Sequence, residues 1–324
     1  MSNSKLPERP PRVLFLGMQC DFSYPALHAL LESGIEVCAV VIPGSPGQGR
    51  EKPYPYISHS EHIEVPARST RPVLPVLHSS LHPDILQLAW GRQIPVREVQ
   101  HLADPEAISR LAAYQPDVIC VACYSQRIPP VILNIPRLGC LNVHPSLLPA
   151  NRGLVPLFWT FREGCEQTGV TIHFMDEGMD TGDILAQALV DVPDGINYAR
   201  LESQCAARGG ELLARTTWSL YNGLAVRVPQ DEAKSSYHSF PSTEDFAVPV
   251  AEWSARHVYN FICGVADWGD PIKLDVGAEH FLVQGAISYS HKDMGAAETY
   301  YREGETLRIR CKLGWVRVRL ADFQ

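Results

Sequence analysis

A chain of 324 residues in which 45% of side chains are apolar is long enough for two domains and can bury a sizeable core. No window approaches the roughly 18 unbroken apolar residues of a membrane span, and a formal net charge of −8 offers no global attraction for nucleic acid. Nine cysteines, an odd number scattered through strand-like and helix-like runs, fit reduced thiols in a cytoplasmic protein better than a disulfide framework.

The opening MSNSKLPERPP is polar and proline-rich, lacks the apolar stretch of a signal peptide, and reads as a short disordered arm. RVLFLGM (12–18) is a β-rich run, followed by a helix-like PALHALLESG and a second strand, EVCAVVIP. That strand–helix–strand opening predicts a parallel sheet. The lone glycine of GMQCDFS is no G-x-G-x-x-G, so the backbone cradle for a dinucleotide pyrophosphate is missing and NAD is not expected. Residues 44–83 are dense in proline, carry four histidines and show little periodicity, which predicts a long surface insertion. His59 and His62 in it lack further well-placed ligands, so no metal is expected.

Alternation then resumes: a helix near 84–91, a strand at IPVREV, a helix at PEAISRLAAY and a buried strand at DVICVAC. Cys120 and Cys123 form a C-x-x-C there, but a spacing of three on a strand points them to opposite faces. GCLNVH follows, then a helix at about 155–164, the strand TGVTIHFMD, an extended DILAQALVDV and a long amphipathic helix at about 198–221. The polar, turn-rich segment 231–243 reads as a linker between a first domain, 12–230, and a second, 244–324. The second begins with the helix VAEWSARHVYNFICGV and continues in short strands whose spacing predicts a small β-barrel. Residues 231–324 hold 10 Lys/Arg against 14 Asp/Glu, yet Arg308, Arg310, Arg317 and Arg319 alternate with apolar residues along two strands, so one basic face can form.

The chemistry concentrates in LNVHPSLLPANRG (141–153). Asn142 and His144 alternate on an apolar strand and share a face. Asp180 lies in the Asp/Gly-rich loop of MDEGMDTGDILAQ, which can bring it over them at the carboxyl edge of an open sheet. An amide, an imidazole and a carboxylate suit attack of a nucleophile on a carbonyl. Two groups donate to the developing oxyanion and the third takes a proton. The same residues would equally serve as a core histidine capped by an amide, with an aspartate closing a turn, and spacing alone does not choose. Ser146, in a proline-flanked turn, suits a local hydroxyl bond better than a nucleophile.

NVHPSLLPANRG followed by TGVTIHFMDEGMDTGDIL resembles the signature of the folate-dependent formyltransferases, as do D-F-S-x-P-x-L at 21–27 and VACYSQRIP. The resemblance covers about residues 12–230. It implies a Rossmann-like open parallel sheet and 10-formyltetrahydrofolate as cosubstrate, with Asn142, His144 and Asp180 in catalytic positions. It also implies a folate pocket along Gln126, Arg127, Ile128 and Pro129, the turn Ser146, Leu147, Leu148 and Pro149, and Met175, Asp176, Glu177 and Gly178. Ser125 replaces a glycine of the family, and Arg127 an aliphatic residue. The appended domain, expected as an OB-like barrel, resembles the family members that formylate methionyl-tRNA, which implies a charged initiator tRNA as acceptor. A small-molecule amine such as an amino-sugar nucleotide, or water in a hydrolytic reaction, would use the same three residues.

Overall fold

The computed structural model describes residues 9–44, 84–292 and 299–321. The opening arm and nearly all of the 44–83 insertion, with His59, His62, Arg50, Lys52, Arg68 and Arg71, lie outside them.

The first half winds strands and helices in alternation: β1 (Arg12–Gly17), α1 (Ser23–Glu32), β2 (Glu36–Pro43), α2 (Ile85–Gly91), β3 (Val96–Val99), α3 (Pro105–Ala112), β4 (Val118–Ala122), α4 (Pro130–Leu133) and β5 (Cys140–His144). Next come β6 (Arg152–Gly153), α5 (Pro156–Arg162), β7 (Gln167–Phe174), β8 (Ile184–Asp191) and α6 (Tyr198–Tyr221). Seven of these strands form one sheet in the order β3-β2-β1-β4-β5-β7-β8. The pairs from β3 to β5 are parallel, whereas β7 runs antiparallel to β5 and β8 antiparallel to β7. The expected parallel sheet is therefore parallel-dominant with an antiparallel margin. An antiparallel pair needs no crossover helix, which leaves the β7–β8 loop able to fold over the site.

β4 is buried at every position and β1 at all but its first, as expected for strands covered on both faces. Leu14, Leu16, Ile119, Val121 and Cys140 pack on one face with Leu111 and Ile132 of α3 and α4. Phe15, Cys120, Leu141 and Val143 pack on the other with Leu27, Leu30 and Leu213 of α1 and α6. Alternation along β5 puts Cys140, Asn142 and His144 on the α3/α4 face. Cys140 sits under α4, close to the Ile132 and Leu133 carbonyls, and Asn142 and His144 continue along that face past the end of β4. None of the helices among the described residues is long and apolar enough to cross a membrane.

The second half contains β9 (Tyr237–His238), β10 (Ala247–Pro249), α7 (Ala255–Val265), β11 (Ile272–Val276), β12 (Glu279–Ser290), β13 (Tyr300–Glu303), β14 (Thr306–Arg310) and β15 (Trp315–Leu320). Six of these strands form a sheet in the order β10-β11-β12-β15-β14-β13, antiparallel except for β10 with β11. Among the described residues the ladder is open between β10 and β13, so the strand-rich unit is an antiparallel sheet packed on α7 and not a fully closed ladder. Phe158 of α5 is fully buried, with ring centroids 5.2 Å from Phe246, 5.9 Å from Phe261 and 5.0 Å from Trp268. Truncating such an aromatic to alanine costs about 3–5 kcal/mol, so α5 is a strong mechanical link between the two sheets. The 231–243 segment is docked as well: β9 pairs in parallel with β6, and His238 stacks on Trp159 at 4.3 Å.

Candidate active site

A cavity of about 670 Å³ opens where β4 ends and residues 123–128 leave the sheet, a size usual for small-molecule sites. Asn142, His144 and Asp180 all line it, together with His173. His144 is buried, and its Nδ1 stands 3.7 Å from Asp180 Oδ2. Its Nε2 is 2.9 Å from the Asn151 carbonyl oxygen, which can only accept, so Nε2 carries a proton and Nδ1 is the atom facing the carboxylate.

Backbone holds Asp180 in place. Its Oδ2 accepts from the Gly153 amide at 2.9 Å, and its own backbone is left-handed at φ 56°, a conformation that Asp adopts more readily than most residues. Gln230 Nε2 donates to the carbonyls of both Asp180 and Gly182 at 2.7 Å, pinning the loop from the linker side. Gln230 Oε1 in turn accepts from Arg152, whose guanidinium also makes a forked pair with Glu232 at 3.0 and 2.7 Å. The Arg-Gly of the sequence signature thus works in two parts, Arg152 fixing the linker and Gly153 fixing the carboxylate.

His173 stands directly opposite Asn142 in the β5–β7 ladder and is 2% exposed. Its Nε2 lies 3.2 Å from Asn142 Nδ2 and 3.6 Å from Asp180 Oδ1, and its Nδ1 donates to the Phe174 carbonyl at 2.7 Å. Burial lowers its pKa to about 4 against the opposing pull of Asp180, with His144 adding to the depression. Sequence reasoning missed this residue. The signal was available, because His173 alternates with Thr171 on an apolar strand just as His144 does with Asn142.

Of the residues expected to bind folate, Gln126, Arg127, Ile128, Met175, Asp176, Glu177 and Gly178 line the cavity. Arg127 Nη2 donates to the Glu177 carbonyl at 2.8 Å, tying the two edges together. Pro129 and the turn Ser146, Leu147, Leu148 and Pro149 are not on the lining. Ser146 Oγ donates to the Ala150 carbonyl at 2.7 Å, a closed turn with no activated hydroxyl. The Leu148 amide donates to buried Thr171 Oγ1 at 3.1 Å, and Thr171 Oγ1 donates to the Ser146 carbonyl at 2.7 Å, so the turn is fastened to β7 behind the wall. Pro129 caps the start of α4.

Cys120 and Cys123 part company, as their spacing implies. Cys120 is buried beside Thr217 with its thiol pushed up to about 12 by burial, while Cys123 lines the cavity. Cys123 hydrogen-bonds Cys20 and, ahead of opposing burial, brings the Cys20 thiol down to about 6. Gly17 ends β1, and a Cβ there would lie 2.6 Å from the Phe15 ring, so this glycine serves close packing. Among the described residues no group of three or more His, Cys, Asp or Glu is arranged to hold a metal ion.

A profile of the formyl transferase family matches residues 55–217. The methionyl-tRNA formyltransferase of Pelotomaculum thermopropionicum is 36% identical over 261 residues, 79% of this chain and 73% of that one. The enzyme of the same name from Syntrophus aciditrophicus is 35% identical, over 74% of this chain and 68% of its own. Among solved structures, an N-formyltransferase from Helicobacter canadensis in complex with folinic acid and dTDP-3-aminofucose superposes with a TM-score of 0.64 at 16% identity, covering 95% of this chain and 98% of its own. Glycinamide ribonucleotide transformylase 1 from Symbiobacterium toebii superposes with a TM-score of 0.52 at 21% identity, over 71% of this chain and all of that one. At these identities the two likenesses speak to the fold alone.

Proposed function

The chain belongs to the formyl transferase family, and from that premise we propose that it carries a formyl group from 10-formyltetrahydrofolate to the amino group of methionyl-tRNA. The observation that carries the chemistry is the Asp180 carboxylate set within 3.7 Å of His144 Nδ1, beside Asn142, on the wall of one cavity. The acceptor follows from relatives of that name at 35–36% identity across about three quarters of the chain.

The amine lone pair attacks the formyl carbon, and negative charge grows on the formyl oxygen. An N–H of Asn142 and, when the imidazole is protonated, Nδ1–H of His144 are the donors for that oxygen, while Asp180 balances the imidazolium across 3.7 Å. The new N–C bond forms as the bond from carbon to N10 of the folate breaks. The proton lost by the amine passes by way of Asp180 and ends on N10, so the reaction balances without any metal or redox partner. Apolar Val121, Ile128 and Met175 line the cavity together with Asp176, Glu177 and Gly178, a lining suited to a flat bicycle with a polar edge.

The test is substitution combined with an acceptor panel. Asn142→Ala, His144→Ala and Asp180→Ala are each expected to lower turnover by about 100-fold or more while the fold is retained. Formyl incorporation should appear with charged initiator tRNA. It should be absent with water and weak with an amino-sugar nucleotide. Near wild-type turnover of His144→Ala overturns the catalytic assignment, and efficient formylation of the sugar nucleotide alone overturns the acceptor.

A further inference from the structure

We propose that His173 is a positioning residue that sets the orientation of the Asn142 amide, acting through Asn142 and not on the substrate. The inference rests on the reading of Asn142 as an oxyanion donor. Its basis is a hydrogen-bond assignment that permits one arrangement. His173 Nδ1 lies 2.7 Å from the Phe174 carbonyl oxygen. That oxygen can only accept, so Nδ1 carries the proton. Buried at 2% exposure and with its pKa near 4, the ring is neutral around pH 7, so Nε2 bears a lone pair. A lone pair 3.2 Å from the Asn142 amide needs an N–H there and rejects the amide oxygen. One N–H of Asn142 is thereby spoken for, and the other remains for the formyl oxygen. A rotated amide would present its carbonyl to the same site and repel an oxyanion.

The register makes this a built feature. Asn142 and His173 are direct partners across β5 and β7, so their side chains leave the sheet on the same face. The neutral ring also leaves the Asp180 charge for His144. Asp180 Oδ1 is 3.6 Å from His173 Nε2, and an imidazolium there would compete with His144 for the same carboxylate.

The experiment compares four variants of the full chain, His173→Leu, His173→Gln, Asn142→Ala and the Asn142→Ala/His173→Leu double, by kcat, KM and thermal melting. Gln places a carbonyl oxygen near the site of Nε2 and can accept the Asn142 N–H, whereas Leu fills space only. His173→Leu is expected to lose about 10-fold or more in kcat with KM for both substrates little changed, and His173→Gln to recover most of it. Because His173 acts through Asn142, the double variant should be no slower than Asn142→Ala alone. The proposal is overturned if His173→Leu keeps wild-type kcat, if Leu and Gln are equally impaired at equal melting temperature, or if the two losses multiply in the double variant. Wild-type turnover of Asn142→Ala overturns the oxyanion assignment itself, a different result from any of these. Should His173→Leu fail to fold, His173→Ala, which also removes the acceptor for the Asn142 N–H, takes its place in the same comparison against His173→Gln and in the double with Asn142→Ala.

Discussion

The Asp180 carboxylate hangs from the Gly153 amide by a 2.9 Å hydrogen bond, so the two-residue strand β6 holds the group that faces both buried histidines. Gly153 itself has φ +119°, and a Cβ there would stand 2.1 Å from the His238 carbonyl oxygen. Gly153→Ala therefore combines left-handed strain with a clash against backbone that cannot swing aside. Gly223, at φ +70° with nothing within 4 Å, carries the strain without the clash. Urea denaturation should show Gly153→Ala destabilised by more than about 2 kcal/mol and clearly more than Gly223→Ala. Equal losses would show that the β6–β9 contact is not what requires glycine.

Stability should fall with acid in a window set by His173. Its pKa is about 4 when folded, below the ordinary value of 6.5, so the unfolded chain binds the extra proton between those limits. Stability contributed by the neutral ring is complete above about pH 6.5 and is lost as pH falls toward 4. The slope for one such group is at most about 1.4 kcal/mol per pH unit. Denaturation midpoints at pH 7, 6 and 5 should decline in the wild type and decline less in His173→Gln. Parallel curves would remove His173 as the cause.

Asp117, 1% exposed at the head of β4, gathers Arg9 at 2.8 Å, Arg137 at 2.6 Å and the Arg12 amide at 2.8 Å. Burial disfavours its charge, but the hydrogen bonds from Arg9, the Arg12 amide and Arg137 outweigh that and hold its pKa below the usual carboxylate value. Asp117→Ala should cost roughly 1.5–3 kcal/mol, the range for lost charge-assisted hydrogen bonds, because both guanidinium groups are half exposed and can return to water. Turnover per folded molecule should be unchanged, since the residue is not on the cavity wall. A drop in kcat at full folding would mean that the strand ends are coupled to the site.

If the acceptor is charged tRNA, cations must meet its phosphates, and the second sheet carries arginines on one face. Arg308 and Arg317 are direct partners on β14 and β15, Arg308 stacks over Trp315 at 4.5 Å, and Leu307, Ile309, Val316 and Val318 bury the opposite face. Reversing Arg308 and Arg310 to Glu should raise KM for charged tRNA about 10-fold or more and flatten its dependence on salt. Folate affinity should not move, because among the described residues none beyond Glu202 lines the cavity. An unchanged KM across a salt series would take tRNA off this surface.

Local pattern determined much of this protein. Continuous apolar runs marked the buried strands of the first sheet, and alternation along LNVH put Asn142 and His144 on one face, because side-chain direction in a strand depends only on parity. The absence of a glycine fingerprint after the first strand was likewise visible in single residues. Tertiary structure decided what parity cannot reach. The antiparallel turn of β7 against β5 brings His173 opposite Asn142, thirty-one positions away along the chain, and strand order is set by packing of whole faces and not by any one segment. The S-L-L-P turn could only be placed behind the cavity wall once Thr171 was seen to fasten it. The 231–243 segment looks like a linker because it is polar and turn-rich, yet Arg152 and Gln230 draw its start against the Asp180 loop through hydrogen bonds whose partners lie 48 to 80 positions apart. Contacts at that separation leave no periodic trace, since each partner is chosen by the fold and not by its neighbours in the chain.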